Sequence, residues 1–334
     1  MSKTTRVIGL GLASISLGVL VAGCVVLRPD IPYPMLEARY ANPQSRFMDL
    51  PGGVRVHYRD QGDPMGPTVV MVHGFAASLE AWEPWVARLG DRYRIVTLDL
   101  PGHGLTRAPT DWRPSLTAYA AVVDAVTGRL NLPPFVLVGN SMGGGVAWTY
   151  ALEHAGRLRA LVLVDPIGLP APASAERRTG TPLVFQILAT PAGRFVLAHI
   201  DTRSLAEKGL RQAYVDQTLV TPALVDRYVD LSRAPGHRRI LTSGSDRDST
   251  AITSQTFAAI QVPTLVLHGQ ADSLIPVASS QALAKAIPGA TLITYPGVGH
   301  VPMEQIPDRS AADVRAFLAR IEPANGEGVT RPGR

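Results

Sequence analysis

Apolar positions along this chain gather in short, uninterrupted blocks instead of the in-and-out rhythm of a half-exposed strand. Val69-Val70-Met71-Val72, Arg94-Ile95-Val96-Thr97-Leu98, Phe135-Val136-Leu137-Val138, Leu161-Val162-Leu163-Val164, Thr264-Leu265-Val266-Leu267 and Thr291-Leu292-Ile293-Thr294 are of this kind. Strands apolar on both faces belong inside a mostly parallel sheet that is covered on both sides. Helical patterns separate them, over roughly Ala81 to Leu89, Ser115 to Leu130, Gly144 to Glu153, Ala278 to Ile287 and Arg309 to Ile321. The alternation predicts an α/β protein with a doubly wound sheet. Two further runs, Arg46 to Leu50 and Val54 to Tyr58, flank Pro51-Gly52-Gly53. They read as an opening hairpin that adds antiparallel strands at one edge.

Between Asp165 and Pro263 the alternation stops. Residues 166–262 are helical and turn-rich, punctuated by Pro166, Pro170, Pro172, Pro182, Pro191, Pro222 and Pro235. They are expected to form a helical cap inserted between two core segments, 46–165 and 263–321. Ligands in open α/β sheets bind outside the carboxyl ends of the strands, so a cap there would roof a pocket. Leu183, Val184, Phe185, Ile187, Leu188, Phe195 and Val196 are its apolar candidates, either for lining that pocket or for packing the cap itself. The polar, Gly/Pro-rich tail 322–334 is expected to be disordered. No repeat of 20 to 50 residues is visible, which removes solenoids and propellers.

The first 27 residues have the character of a targeting segment. Lys3 and Arg6 precede an uncharged run, Val7 to Leu27, closed by Arg28 and Pro29. Charge followed by an apolar stretch is the layout of a secretory signal, and the run is also long enough to cross a hydrocarbon core of about 30 Å as a helix. Leu20-Val21-Ala22-Gly23-Cys24 resembles the lipobox of bacterial lipoproteins, in which Cys24 would carry lipid. Lipidation, a retained anchor and a cleaved signal all place the folded domain outside the cytoplasm, the first two with a membrane attachment. Residues 28–45, including Ile31-Pro32-Tyr33-Pro34, read as a stiff linker from membrane to domain.

Composition narrows the chemistry. In 334 residues, 46% are hydrophobic and 18% charged, which is enough apolar content for a substantial core. Lys and Arg exceed Asp and Glu by only five, with no dense basic run interleaved with aromatics, so nucleic acid is not expected as a partner. One cysteine leaves no disulfide framework and no multi-cysteine metal site. The reacting group must then be an oxygen or a nitrogen.

Gly139-Asn140-Ser141-Met142-Gly143 directly follows the Phe135 strand, and Gly144-Gly145 opens a helix. Strand, sharp turn and helix is the context of a nucleophile elbow, which lifts a serine hydroxyl above the sheet. A serine needs a base for its proton, and that base needs a carboxylate to hold its tautomer. His300, in Gly297-Val298-Gly299-His300-Val301-Pro302, follows the last strand on a Gly-flanked loop and is the expected base. Asp272 follows the preceding strand and gives the order serine, acid, histidine; Asp165, at the end of the strand after the nucleophile, is the alternative acid. Asp99 is expected to brace a loop, His268 to pack in the core, and His73 to order its own turn. His57, His103, His154, His199 and His237 are read as surface or structural. The oxyanion should rest on the amides of Met142 and of Phe75, from His73-Gly74-Phe75-Ala76 at the end of the Val69 strand.

Together these motifs resemble the α/β-hydrolase superfamily from about Arg46 to Ile321. Gly139-Asn140-Ser141-Met142-Gly143-Gly144 and Gly299-His300-Val301-Pro302-Met303 look like the bacterial lipase/esterase group that includes membrane-anchored lipoprotein esterases. The resemblance implies Ser141 as nucleophile, His300 as base and Asp272 as acid, with no metal or organic cofactor. The expected activity is carboxylic-ester hydrolysis on a small, hydrophobic substrate. The Gly-Asn-Ser-Met-Gly-Gly string is also shared with the carbon–carbon hydrolases of ring-fission products. Those enzymes usually have tryptophan after the histidine and Ser or Pro after His-Gly, where this chain has Val301 and Phe75. Haloalkane dehalogenases and epoxide hydrolases place aspartate at the elbow, which Ser141 argues against. A non-catalytic binding protein on the same scaffold is a third reading.

Overall fold

The computed structural model describes residues 28–170, 183–243 and 252–321; the expected leader with Cys24 and the tail 322–334 lie outside them. Among the described residues, eight strands form one sheet: β1 (Ser45–Asp49), β2 (Arg55–Gly62), β3 (Thr68–Val72), β4 (Arg94–Leu98), β5 (Phe135–Asn140), β6 (Leu158–Val164), β7 (Thr264–Gly269) and β8 (Thr291–Tyr295). Their spatial order is β1-β2-β4-β3-β5-β6-β7-β8. The first two pairings of that order, β1 with β2 and β2 with β4, are antiparallel, and the rest are parallel. The opening hairpin and all six expected parallel-type strands are therefore present.

The two-sided burial follows from the strand sequences. Val70, Val72 and Leu137 pack on one face with helices α3 (Leu116–Arg129), α4 (Met142–Glu153) and α11 (Val277–Ala286). Val69, Met71 and Val138 pack on the other face with α2 (Glu83–Leu89) and α13 (Pro307–Ile321), through Trp85, Val314 and Phe317. Each fully buried Val, Leu or Phe side chain contributes about 1.5–3 kcal/mol relative to exposure, so neither face tolerates a polar run. Helix α13, which follows the short α12 (Pro302–Gln305), is amphipathic, burying Ala311, Val314, Phe317 and Leu318.

The inserted segment is helical as expected, with α5 (Leu183–Leu188), α6 (Pro191–Leu197), α7 (Arg203–Ala213), α8 (Pro222–Ser232), α9 (His237–Thr242) and α10 (Ser254–Ala258). Thr190 and Thr221 cap α6 and α8 by accepting from Gly193 and Leu224 amides, which replaces hydrogen bonds that a helix start otherwise lacks. Phe195 and Val196 turn outward, 69% and 47% exposed, and the Phe195 ring lies against His199 with centroids 4.6 Å apart. The side chains of Leu183, Val184 and Phe185 lie outside the described residues.

The linker reading of residues 28–45 needs correction, because Tyr33–Tyr40 forms a helix, α1. Pro34 sits in its first turn, where a fixed φ and a missing N–H favour helix initiation. Leu36, 1% exposed, is buried with Leu105, Leu231 and Ala234. The Tyr33 hydroxyl meets His237 Nε2 at 3.0 Å and the Tyr40 hydroxyl donates to Asp230 Oδ2 at 2.8 Å. Ahead of α1 the chain is tied to the cap: Arg28 pairs with Asp201 at 2.9 Å, and the Ile31 amide donates to the Arg233 carbonyl at 2.8 Å. Among the described residues no helix is long and apolar enough to cross a membrane.

Candidate active site

Strand β5 is buried along its whole length and delivers Ser141 at its end. Ser141 adopts φ 54° and ψ −116°, a conformation costly for a residue with a side chain and one that persists only where surrounding structure enforces it. The enforcement is visible in the glycines on either side. A Cβ on Gly139 would come within 2.1 Å of the Gly143 carbonyl, and one on Gly143 within 2.2 Å of the Val72 carbonyl. The Ser141 amide donates to the Val164 carbonyl at 2.9 Å. The Asn140 side-chain amide donates to the carbonyls of both Val164 and His300, each at 3.1 Å, and so links the elbow to the histidine loop.

His300 is positioned from both sides. Its backbone amide donates to the carbonyl of Ala213 at the end of α7, 2.8 Å away. Its ring Nδ1 lies 2.7 Å from Asp272 Oδ2. A carboxylate only accepts, so Nδ1 carries a proton, and in the neutral ring the lone pair is then on Nε2. Asp272 is itself fixed by the Leu274 and Ile275 amides, at 2.7 and 3.1 Å on Oδ1. Burial works against its charge, but His300, its hydrogen bond and the nearby His268 outweigh burial and hold the carboxyl below the usual carboxylate range.

Asp165 does not bond His300 and takes a different part. It is fully buried, its Oδ1 accepts from the Gly269 amide at 2.9 Å, and its Oδ2 has no partner among the described residues. Burial, reinforced by the adjacent Asp272 charge, pushes its carboxyl well above the usual range, toward the neutral acid. His268 lies between them, with Nε2 3.5 Å from Asp165 and 3.6 Å from Asp272. Nε2 donates to the Ile275 carbonyl at 3.0 Å, so Nδ1 accepts from the Ser280 hydroxyl at 2.7 Å. Burial lowers the His268 pKa, and the ring is the packed core residue expected of it.

Ser141, His300 and Phe75 line one cavity of about 230 Å³ between the sheet's carboxyl edge and the cap. Met142 is the first residue of α4, where an amide has no partner within the helix, and its side chain packs against the core. The β3–α2 turn that carries Phe75 is braced as expected. Asp99 accepts from His57 Nδ1 at 2.7 Å and from the Leu79 and Leu105 amides at 2.8 and 2.9 Å. His73 Nε2 accepts from the Leu100 amide at 3.1 Å while Nδ1 donates to the Gly74 carbonyl at 2.7 Å, which fixes a neutral ring that burial also favours. Asn140 and Ala213 carry structural weight at the site that sequence patterns did not single out. The cap's contribution to the lining comes mainly from Leu197, Leu205, Leu210, Tyr228 and Leu241, with Leu188 alone among the described side chains of the expected apolar set.

A sheet of this order with a serine on a strained turn after β5 and a bonded acid–histidine pair on later loops defines a hydrolase scaffold with a cap. The chain belongs to the alpha/beta hydrolase fold family, whose model matches residues 67–306. Among its relatives are the monoacylglycerol lipase abhd6-B of Xenopus laevis, 26% identical over 81% of each chain, and a 2-hydroxymuconate semialdehyde hydrolase of a Pseudomonas species, 28% identical over 82% of this chain and 94% of that one. A solved bacterial membrane phospholipase A shares the fold at a TM-score of 0.72 and 23% identity, covering 97% of this chain and all of that one.

Proposed function

We propose that this protein is a serine hydrolase that cleaves carboxylic esters through an acyl-enzyme on Ser141. The observation that carries the reading is the 2.7 Å bond from His300 Nδ1 to Asp272, with His300 lining the same cavity as the strained Ser141. His300 Nε2 takes the proton as Ser141 Oγ attacks the ester carbonyl, and Asp272 stabilises the imidazolium that results. The oxyanion is received by the amides of Phe75 and Met142; removing one such donor typically costs about 10²- to 10³-fold in turnover. The tetrahedral intermediate expels the alcohol, which leaves with the proton from His300. Water, deprotonated by the same nitrogen, then attacks the acyl-serine and releases the acid. No step requires a metal or an organic cofactor. The apolar cavity supports hydrophobic esters, and the lipase and phospholipase relatives support lipid-like ones. We place the domain outside the cytoplasm, attached to a membrane through the leader, with Cys24 as the lipidation site.

Replacing Ser141 by Ala should abolish hydrolysis of p-nitrophenyl butyrate without lowering the melting temperature. Undiminished turnover would refute the assignment. The 2-hydroxymuconate semialdehyde hydrolase relative favours a second reading, carbon–carbon cleavage of a ring-fission product by the same residues. A wild-type preference for such a dienone over every ester in a chain-length series would establish that reading instead.

A further inference from the structure

We propose that cap helix α7 transmits the seating of an acyl chain to the acid and the base, with Ser273 and Gln305 as the positioning residues that fasten its end to their loops. The inference rests on the ester-hydrolase reading and names the residues through which substrate length acts on kcat.

Leu205, Ala206, Gly209, Leu210 and Ala213 recur along one stripe of α7 and line the cavity together with Ser141 and His300. The same helix ends against the loops that carry the acid and the base. An α-helix leaves its last four carbonyls without partners inside the helix, and here each has one outside it. Leu210 accepts from the Tyr214 amide at 3.0 Å and Arg211 from the Gln217 side-chain amide at 3.1 Å, which closes the helix locally. Gln212 accepts from the hydroxyl of Ser273, the residue after the acid, at 2.8 Å. Ala213 accepts from the His300 amide at 2.8 Å. Just past the helix, the Val215 and Asp216 amides donate to Gln305 Oε1 at 2.8 and 3.4 Å, so the end of α12 holds the chain that leaves α7. Leu210, Ala213 and Tyr214 also share a buried cluster with Val298, Val301 and Met303, on either side of His300.

The His300 peptide is therefore held between two elements, its amide on the cap and its carbonyl on the Asn140 side chain of the elbow, 3.1 Å away. A shift of α7 moves that peptide relative to Ser141, and the Ser273 bond carries Asp272 with it. Misplacing a reacting group by about 1 Å can cost about 10²-fold in rate. An acyl chain packed on the apolar stripe fixes α7 in place. The acyl chain is also the part of the substrate that stays in the cavity through both chemical steps, tethered to Ser141 in the second. A short chain leaves the stripe unfilled and the helix less constrained. Contacts at the unreactive end of the substrate then go into orienting the reacting groups, which raises kcat instead of only lowering KM. Neither Ser273 nor Gln305 lines the cavity, so their influence on the reaction passes through α7 and the two loops.

The test measures kcat and KM separately for p-nitrophenyl acetate and p-nitrophenyl hexanoate on the full-length protein in detergent. Wild type should show the higher kcat on the hexanoate. Ser273→Ala and Gln305→Leu should each lower the hexanoate-to-acetate ratio of kcat by about 2- to 10-fold, the range one net hydrogen bond supplies. KM for the hexanoate should change little, because the lining is untouched. Ser273→Thr, which keeps the hydroxyl, should keep the ratio. Loss of folded protein cancels in a ratio taken within one preparation, so a merely structural role would leave it where it was. A wild-type kcat independent of chain length, a ratio unchanged in both variants, or a change confined to KM would overturn the proposal while leaving ester hydrolysis intact. Turnover of neither ester would overturn the underlying reading instead.

Discussion

Asp272→Asn removes one charge from the site while nearly conserving its shape, and the geometry sets the size of the effect. Asp272 Oδ2 accepts from His300 Nδ1 at 2.7 Å, and both residues are 6% exposed. When His300 takes the serine proton, a cation forms beside that carboxylate. Two unit charges about 4 Å apart attract by about 4 kcal/mol at the effective dielectric near 20 that suits protein sites. At about 1.4 kcal/mol per decade, kcat should fall by about 10³-fold, and a carboxamide that turns its NH₂ toward Nδ1 would add a tautomer penalty. Asp165→Asn is the control with the opposite expectation. Its carboxyl is already driven toward the neutral acid by burial and by Asp272, and an amide replaces a neutral acid with little electrostatic change. Its kcat should stay within about 10-fold of wild type. The assay is initial-rate hydrolysis of p-nitrophenyl butyrate, with thermal melts to establish that both variants are folded. A loss below about 10-fold in Asp272→Asn, or a larger loss in Asp165→Asn, would show that Asp272 is not the carboxylate that stabilises the imidazolium.

Two further outcomes follow from buried groups elsewhere. Glu304 is pushed up to about 7, mainly by burial and against the pull of Arg227. A pKa raised in the folded state favours folding below the unfolded value near 4.5 and loses that contribution as pH rises through 7. Glu304→Gln should therefore gain on wild type by on the order of 2 kcal/mol between pH 5 and 8 in urea melts; equal pH dependence in the two proteins would contradict this. Leu36→Ala empties a nearly sealed position under α1 and should cost about 2–4 kcal/mol in the same melts, whereas a freely hanging linker would make the substitution silent.

The chain announces its core and its reacting groups more clearly than their surroundings. Val69 to Val72 and Leu161 to Val164 are apolar on both faces, which only a covered parallel strand explains, and both occur in that setting. The Ser141 turn was legible because a tight reversal between β5 and α4 excludes side chains at Gly139 and Gly143. Helix α1 was not, since Leu36 is its one buried residue and a single apolar position produces no period. Pro34 fits a stiff spacer by sequence alone, and proline in a first turn serves helix initiation equally well. His57, His103 and His237 were ambiguous between surface and interior, and each proves to be buried. His57 and His237 are held by partners distant in sequence, Asp99 and Thr106.

The central claim is that a single hydroxyl has been made nucleophilic by its place in the fold. Incubation of the full-length protein with a fluorophosphonate, followed by peptide mass mapping, reads this without any choice of substrate. One phosphonyl adduct is expected on the peptide bearing Ser141, lost in Ser141→Ala and strongly slowed in His300→Ala. A folded wild-type protein that stays unlabelled, or labelling at another residue that survives both substitutions, would contradict it.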